Sequence, residues 1–298
     1  MLITGVSGLL GSNFAYYFKG KYDVLGIYLS HSVCIQGIKA VKADLSSTDS
    51  TKDIIHSFKP HIIIHCASLT NVDFCEVNQA LTDLINVSGT QTVVESISNR
   101  KTKLVYISSD SVYDGGKGDF SENDPINPQN YYGLSKYRGE LEVLKEDNSL
   151  ILRTNIFGWN TQEKYSIAEW ILYELSNKRQ IKGFSDVFFS SIYTFDLAQI
   201  LDMGIDNNLT GIFNCGSSTS LSKYQFALSI ADRFNLEKGL IQPVSIDDFN
   251  LTAKRGKNLT LNVGKLKGVL NYNLPAINES VENFYRDYCL DLHKRLKA

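Results

Sequence analysis

An α/β fold built on a doubly wound parallel sheet is what the sequence predicts, and three observations predict it. The chain opens MLITGVSGLLGSNFAYYF: a short apolar run, then Gly5, Gly8 and Gly11 at three-residue intervals, then a helical stripe of Leu10, Phe14, Tyr17 and Phe18. Apolar strand-like runs alternate with helical segments as far as Asn155, as βαβ units require. HIIIHCAS, from His61, is almost continuously apolar, as a parallel strand buried on both faces must be. Together these place a Rossmann-type dinucleotide-binding domain over residues 1–155. A smaller substrate-binding lobe is expected over 156–298, with 187–213 returning to the first domain.

The 298 residues suffice for one large or two modest domains. Thirty Lys and Arg against 32 Asp and Glu leave a net charge of −2, with no basic stripe or acidic tail. Nucleic acid and membrane surfaces are therefore not expected as partners. No apolar stretch approaches the ~20 residues that span a bilayer. Gly5, Ser7 and Gly8 interrupt the start before a signal-peptide core can form. The five cysteines are odd in number and form no C-x-x-C pair, so free thiols and a cytoplasmic location are expected.

Taken in order, the first strand, glycine turn and helix suit a dinucleotide pyrophosphate, which needs bare backbone N–H groups at a helix N-terminus. Gly5, Ser7, Gly8, Leu9, Leu10 and Gly11 are the residues expected against it. Val24 to Leu29 reads as the second strand. No acidic residue follows it, so nothing there repels a 2′-phosphate, and Ser30 and Ser32 offer hydroxyls to one. NADPH is thus the expected cofactor, with NADH as the alternative. Val41 to Leu45 suggests a third strand, placing Asp44 and Leu45 near the adenosine. A helix over Thr51–Phe58 stops at Pro60, and the strand from His61 leads to Cys66, Ala67 and Ser68. His61 and His65 have no metal-ligand constellation around them and are read as structural. One long helix is predicted over about Val77–Ser98, carrying Asn86. Lys103 to Ser109 is the next strand. The loop after it, rich in Gly, Asp, Asn and Pro, predicts an exposed mobile lid.

That loop leads into PQNYYGLSKYRGE, Pro128 to Glu140, where Tyr132 and Lys136 stand four apart on a predicted helix. Leu134, Tyr137, Leu141 and Leu144 are its expected buried stripe. The Tyr and Lys share a face, so a fixed positive charge can draw the phenol's pKa toward neutral and fit it for proton transfer. Beyond the strand at Ser149–Asn155, a helix is predicted over Ser166–Lys178, strands over Gln180–Phe184 and Val187–Thr194, and a run over Gly211–Ser217. Helices are predicted near Leu221–Phe234 and from about Ile277.

GVSGLLG at Gly5–Gly11, the HCAS strand end, NVSGT at Asn86–Thr90, Ser109 after a strand and YYGLSK at Tyr131–Lys136 together resemble the extended short-chain dehydrogenase/reductase family. SSDSVYDG, LRTNIFG and KRGKNLTLNVGKL are most similar to the dTDP-4-dehydrorhamnose reductases within it. The resemblance implies that Ser109 steadies a substrate carbonyl and Tyr132 transfers the proton. It implies that Lys136 holds the nicotinamide ribose and that the Asn86 region completes a proton relay. Asp110 and Asn155 are implied at the sugar, and Arg255 or Lys254 at its diphosphate.

Three departures shape the expectation. Asp110 is followed by Ser111 where 4,6-dehydratases carry a second acid. RTNIFG lacks the Trp that rhamnose enzymes pack on the sugar. Ser12, Asn13 and Phe14 replace the stretch in which some relatives place a metal-binding Glu, so no metal is expected. The implied activity is NADP(H)-preferring reduction of a 4-keto-6-deoxy nucleotide sugar, with a homodimer as the assembly left open. The rivals are a sugar epimerase of the same family and a non-catalytic regulatory subunit like that of methionine adenosyltransferase.

Overall fold

Seven strands pair in parallel in the central sheet of the computed structural model, which describes residues 1–97, 101–162 and 164–296. They are β1 (Leu2–Thr4), β2 (Leu25–Tyr28), β3 (Lys39–Lys42), β4 (Ile62–His65), β5 (Lys103–Ser109), β6 (Ser149–Thr154) and β7 (Gly211–Asn214), in the order β7-β6-β5-β4-β1-β2-β3. The chain winds outward from β1 to β3, then crosses to β4 and winds the other way. Such a reversal opens a crevice at the C-terminal ends of β1 and β4.

Side chains alternate along each strand, so each strand feeds two cores. Ile3, Ile64, Val105 and Leu150 point to one face, where Phe14 and Phe18 of helix α1 (Leu9–Phe18) cover them. Leu2, Ile63, Leu104 and Ile151 point to the other, against Ile55 of α2 (Thr48–Phe58), Val93 of α3 (Gly89–Glu95) and Val143 of α4 (Tyr131–Val143). Beyond residue 155 part of the chain returns to the first of these cores through Leu197 and Leu201, and the rest forms a third core around Phe157, Ile171 of α5 (Ile167–Ser176), Phe226 of α6 (Lys223–Arg233) and Phe284 of α7 (Ile277–Cys289).

Three expectations are corrected. The single helix foreseen over Val77–Ser98 is broken into Val72–Val77, Gln79–Asp83, a π-helical turn at Leu84–Ser88, and α3; its foreseen end at Ser98 lies outside the described residues. Half of the stripe foreseen on α4 faces outward, with Leu141 45% and Leu144 46% exposed, while Tyr137 packs on the cluster of Val112, Tyr113 and Phe120. Gly133, Lys136, Gly139 and Glu140 are buried instead, and at Gly139 the helix comes too close to the sheet for a side chain. A Cβ on Gly139 would lie 2.2 Å from the Tyr106 hydroxyl. The loop after β5 is not a detached lid, since Val112, Tyr113 and Phe120 are buried. Tyr113 and Phe120 stack at 4.6 Å, and Phe120 N–H donates to the Thr260 carbonyl. Its turn-rich composition concealed aromatic side chains that pay for their own anchoring.

Candidate active site

The glycine turn between β1 and α1 is forced by contact. Gly5 has a φ of +67°, and a Cβ there would lie 2.7 Å from the Ala67 Cα. A Cβ on Gly11 would lie 2.2 Å from the Gly5 carbonyl oxygen. Gly8 is the N-cap of α1 and provides no side-chain cap, so the first-turn N–H groups around Leu9, Leu10 and Gly11 are left for an anion. The Ser7 carbonyl is turned away, accepting from Gln162 Nε2 at 2.6 Å and Thr161 Oγ1 at 3.3 Å. Asn13 locks the helix, donating to the Leu9 and Trp159 carbonyls at 2.8 Å each and accepting from Thr194 Oγ1 at 2.6 Å. A bare turn held this firmly fits a dinucleotide pyrophosphate.

Beyond β2, Ser30 Oγ lies 2.9 Å from His31 Nδ1, and both residues are exposed. Asp44 accepts from Ser46 N–H at 2.9 Å and Ser46 Oγ at 2.7 Å, shaping the turn after β3. Leu45 packs against the second face of the sheet. On the other side of the crevice, Cys66 N–H donates to the Thr4 carbonyl and Ala67 N–H to Thr4 Oγ1. Ser68 Oγ donates to Asn86 Oδ1 at 3.0 Å. Asn86 also accepts from Leu69 N–H at 2.7 Å and contacts Ser135 Oγ at 2.9 Å through Nδ2. Its side chain is therefore committed to the loop after β4 and to α4, and its carbonyl accepts from Thr90 Oγ1 at 2.7 Å. His65 is buried between Thr4 Oγ1 and Thr90 Oγ1, and burial lowers its pKa to about 3, so it is a neutral hydrogen-bonding ring.

Ser109 ends β5, and its hydroxyl donates to Asp110 Oδ1 at 3.0 Å. Asn155 Nδ2 donates to Asp110 Oδ2 at 2.9 Å. Burial raises the Asp110 pKa, and these hydrogen bonds oppose it. Tyr132 reaches the same point from the first turn of α4, which Asn130 caps by accepting from Gly133 N–H. Burial pushes the Tyr132 phenol above its ordinary pKa. The Ser109 hydroxyl opposes that rise, while Asp110 and Cys75 push it further up. Lys136 is itself buried, and that burial lowers its pKa to about 7 against the smaller opposing pull of Cys66 and Glu140.

The diphosphate residues are disposed differently from expectation. Arg255 makes a two-pronged pair with Asp73, at 3.1 and 2.9 Å, and donates to the Ala253 carbonyl at 2.7 Å. It is no free clamp, though it borders a groove of about 930 Å³ that also includes Gly115, Asn127, Phe249 and Lys254. Trp159, just past the segment lacking the family's Trp, is buried and stacks on Phe284 at 3.9 Å. Among the described residues, no group of three or more His, Cys, Asp or Glu is arranged to hold a metal.

The family model for the RmlD substrate binding domain matches residues 1–290. The chain belongs to this family. A dTDP-4-dehydrorhamnose reductase of Aggregatibacter actinomycetemcomitans is 30% identical over 90% of this chain and 92% of its own. The methionine adenosyltransferase 2 subunit beta of Danio rerio is 29% identical over 96% of this chain and 91% of its own. Among solved structures, the Bacillus anthracis dTDP-4-dehydrorhamnose reductase in complex with NADP has a TM-score of 0.84 at 27% identity, covering 96% of this chain and 98% of that one. A hypothetical dTDP-4-dehydrorhamnose reductase of Sulfolobus tokodaii has a TM-score of 0.82 at 31% identity, over 92% and 96%.

Within this RmlD-family fold, sequence reasoning missed Asn13, Gln162 and Cys75, which shape the glycine turn and the Tyr132 environment. It also missed Lys223, the first residue of α6, whose charge acts on Asp110. None of them lies in a motif; a lone Lys after a helix cap carries no signal of its own.

Proposed function

We propose that the protein is an NADP(H)-preferring reductase of a 4-keto-6-deoxy nucleotide sugar. The observation that carries this is the meeting of Ser109 and the Tyr132–Lys136 helix at the β5 end, on the crevice that the bare glycine turn opens. When bound, NADPH would supply the hydride. Tyr132 gives its proton to the C4 carbonyl oxygen, and Ser109 steadies that oxygen while lowering the cost of the phenolate. Lys136 takes the nicotinamide ribose, and Asp110 with Asn155 orients the sugar hydroxyls. The NADP complex of the B. anthracis relative supports the cofactor. The test is a panel of 4-keto-6-deoxy nucleotide sugars assayed for NADPH and NADH oxidation, with products identified by NMR. No turnover across dTDP, UDP and GDP sugars would overturn the reading.

One observation favours a second reading: relatives named as methionine adenosyltransferase 2 subunit beta match over most of the chain. A regulatory subunit would bind a methionine adenosyltransferase and oxidise no NADPH with any sugar. Co-purification with that enzyme, together with a silent substrate panel, would select this reading.

The homodimer has a surface suited to it. Val77, Leu81 and Leu84 are exposed on one packed helical layer, and Leu141 and Leu144 on the neighbouring α4. Two copies laid face to face would bury both stripes in a four-helix interface, an isologous arrangement. Sedimentation should then give a dimer that Leu81→Glu with Leu141→Glu converts to monomer. The five unpaired cysteines support a reducing, cytoplasmic setting. Among the described residues no helix is long and apolar enough to cross a membrane.

A further inference from the structure

Glu140 stands one helical turn after Lys136 on α4, and both side chains are buried. Residues four apart on a helix are neighbours, and a Lys and a Glu at that spacing, shut away from water, are natural partners for each other. They do not pair here. The Lys136 ammonium makes no hydrogen bond or ion pair with any described residue.

The reason lies on the neighbouring strands. Arg153 of β6 takes both Glu140 oxygens, with Nε donating to Oε1 at 2.9 Å and Nη2 to Oε2 at 2.7 Å. The two side chains are only 3% and 1% exposed. Ser108 Oγ of β5 donates to the same Oε1 at 2.5 Å. The guanidinium is fixed from its other edge as well. Its Nη1 donates to the Tyr113 hydroxyl at 2.9 Å, and that hydroxyl lies 3.0 Å from both Asn214 Oδ1 and the Ser121 carbonyl. Every polar atom of the carboxylate is thus occupied by groups outside α4. Without Arg153 the carboxylate would be buried and unmatched, and the ammonium one turn away is a cation it can reach by side-chain rotation alone. Glu140 already exerts a small upward pull on the Lys136 pKa, and that pull would grow once the guanidinium no longer cancels the charge.

We propose that Arg153 is a positioning residue for cofactor binding: by occupying Glu140 it keeps the Lys136 ammonium unpaired for the nicotinamide ribose. This rests on the ribose-binding role given to Lys136 above. The same guanidinium anchors the loop after β5 through Tyr113, so the seating of that loop and the availability of Lys136 depend on one side chain.

The test is NADPH binding, followed by fluorescence on both sides of the Lys136 pKa of about 7, with circular dichroism confirming the fold at each pH. Arg153→Met should weaken NADPH by about tenfold or more, because an ion pair must break before the ribose contact can form. It should also move the pH midpoint of binding upward, since a captured ammonium holds its proton longer. Arg153→Met with Glu140→Leu should return the affinity close to wild type and bring the midpoint back down, because no carboxylate is left to capture Lys136. Arg153→Lys keeps the charge but not the two-pronged grip, and should shift the midpoint the same way by less. Lys145→Met, a surface change beside Glu142 on the same helix, should alter neither quantity. An arginine that served packing alone would leave the midpoint of the folded protein where it was. An unmoved midpoint in Arg153→Met, or in Arg153→Lys should Arg153→Met fail to fold, overturns the proposal. So does a double variant that folds and still binds as poorly as Arg153→Met. Absence of NADPH binding in the wild type overturns both this and the reductase reading. The expected shifts with no turnover of any sugar would keep the role of Arg153 and reject the reductase reading instead.

Discussion

The Lys136 ammonium lies 4.1 Å from the centre of the Tyr106 ring. Tyr106 is fully buried, and its hydroxyl donates to the Lys136 carbonyl at 3.4 Å. An aromatic face is a weak partner for a buried ammonium compared with a carboxylate, which is consistent with the lowered pKa of this lysine. Lys136 is thus held ready rather than satisfied, which suits the ribose-binding role proposed for it.

That readiness has a cost with a definite pH dependence. The folded-state pKa of Lys136 is about 7, against 10.5 for the free group. Between these values the unfolded chain holds a proton that the folded chain does not, so stability rises with pH across this window. The full penalty is present below pH 7. Lys136→Met should therefore stabilise the cofactor-free protein at pH 6 by a few kcal/mol. The gain should fade as pH approaches 10.5. Denaturant melts at pH 6 and pH 9.5 check this, and an equal gain at both would show that charge burial is not the cause. The same variant should bind NADPH more weakly.

Tyr132→Phe removes the proposed proton donor and leaves the ring in place. kcat should fall by about 10²–10⁴-fold, the usual worth of general acid catalysis, while NADPH binding persists. Tyr131 is the internal control: its hydroxyl donates to Asp83 at 2.7 Å, beside Arg138. Tyr131→Phe should keep most of the activity. A dead Tyr131→Phe beside an active Tyr132→Phe would reverse the assignment.

Cofactor choice should respond to the end of β2. Ser30→Asp places a carboxylate where a 2′-phosphate would sit, so NADPH affinity should drop well below that for NADH. His31→Ala removes the ring that contacts Ser30 and should weaken NADPH while sparing NADH. Fluorescence titration of both nucleotides measures this. An NADH affinity more than tenfold tighter in the unaltered protein would contradict the expected preference.

Arg153 and Glu140 form a buried two-pronged pair at 2.9 and 2.7 Å, with Ser108 Oγ donating to Glu140 at 2.5 Å. Arg153 also donates to the Tyr113 hydroxyl at 2.9 Å. Arg153→Met strands a buried carboxylate and should cost about 3–5 kcal/mol. Adding Glu140→Leu should recover much of that loss, as chemical denaturation would show.

The sheet was legible because β4, β5 and β6 each carry an apolar run at their centre and Gly5 and Gly11 punctuate the first turn. Tyr132 and Lys136 were legible because a fixed spacing on one helix is itself a signal. The covering of α4 was not. Helical spacing of Leu134, Tyr137, Leu141 and Leu144 marks an apolar face, but not whether this chain or another molecule covers it. The approach of Tyr132 to the end of β5 depends on where that strand and α4 meet in space, which local pattern does not encode.

The position of β7 has a consequence for how the molecule can be cut. Every residue of β6 is buried, and β7, drawn from beyond residue 210, pairs along its outer side. A fragment ending near residue 155 would expose that row of N–H and C=O groups as an open edge on an apolar strand, a template for pairing between molecules. Such a fragment should aggregate although it contains every residue of the glycine turn and the Tyr132 helix. Co-expression of residues 156–298 should restore solubility, because the missing neighbour of β6 lies within it.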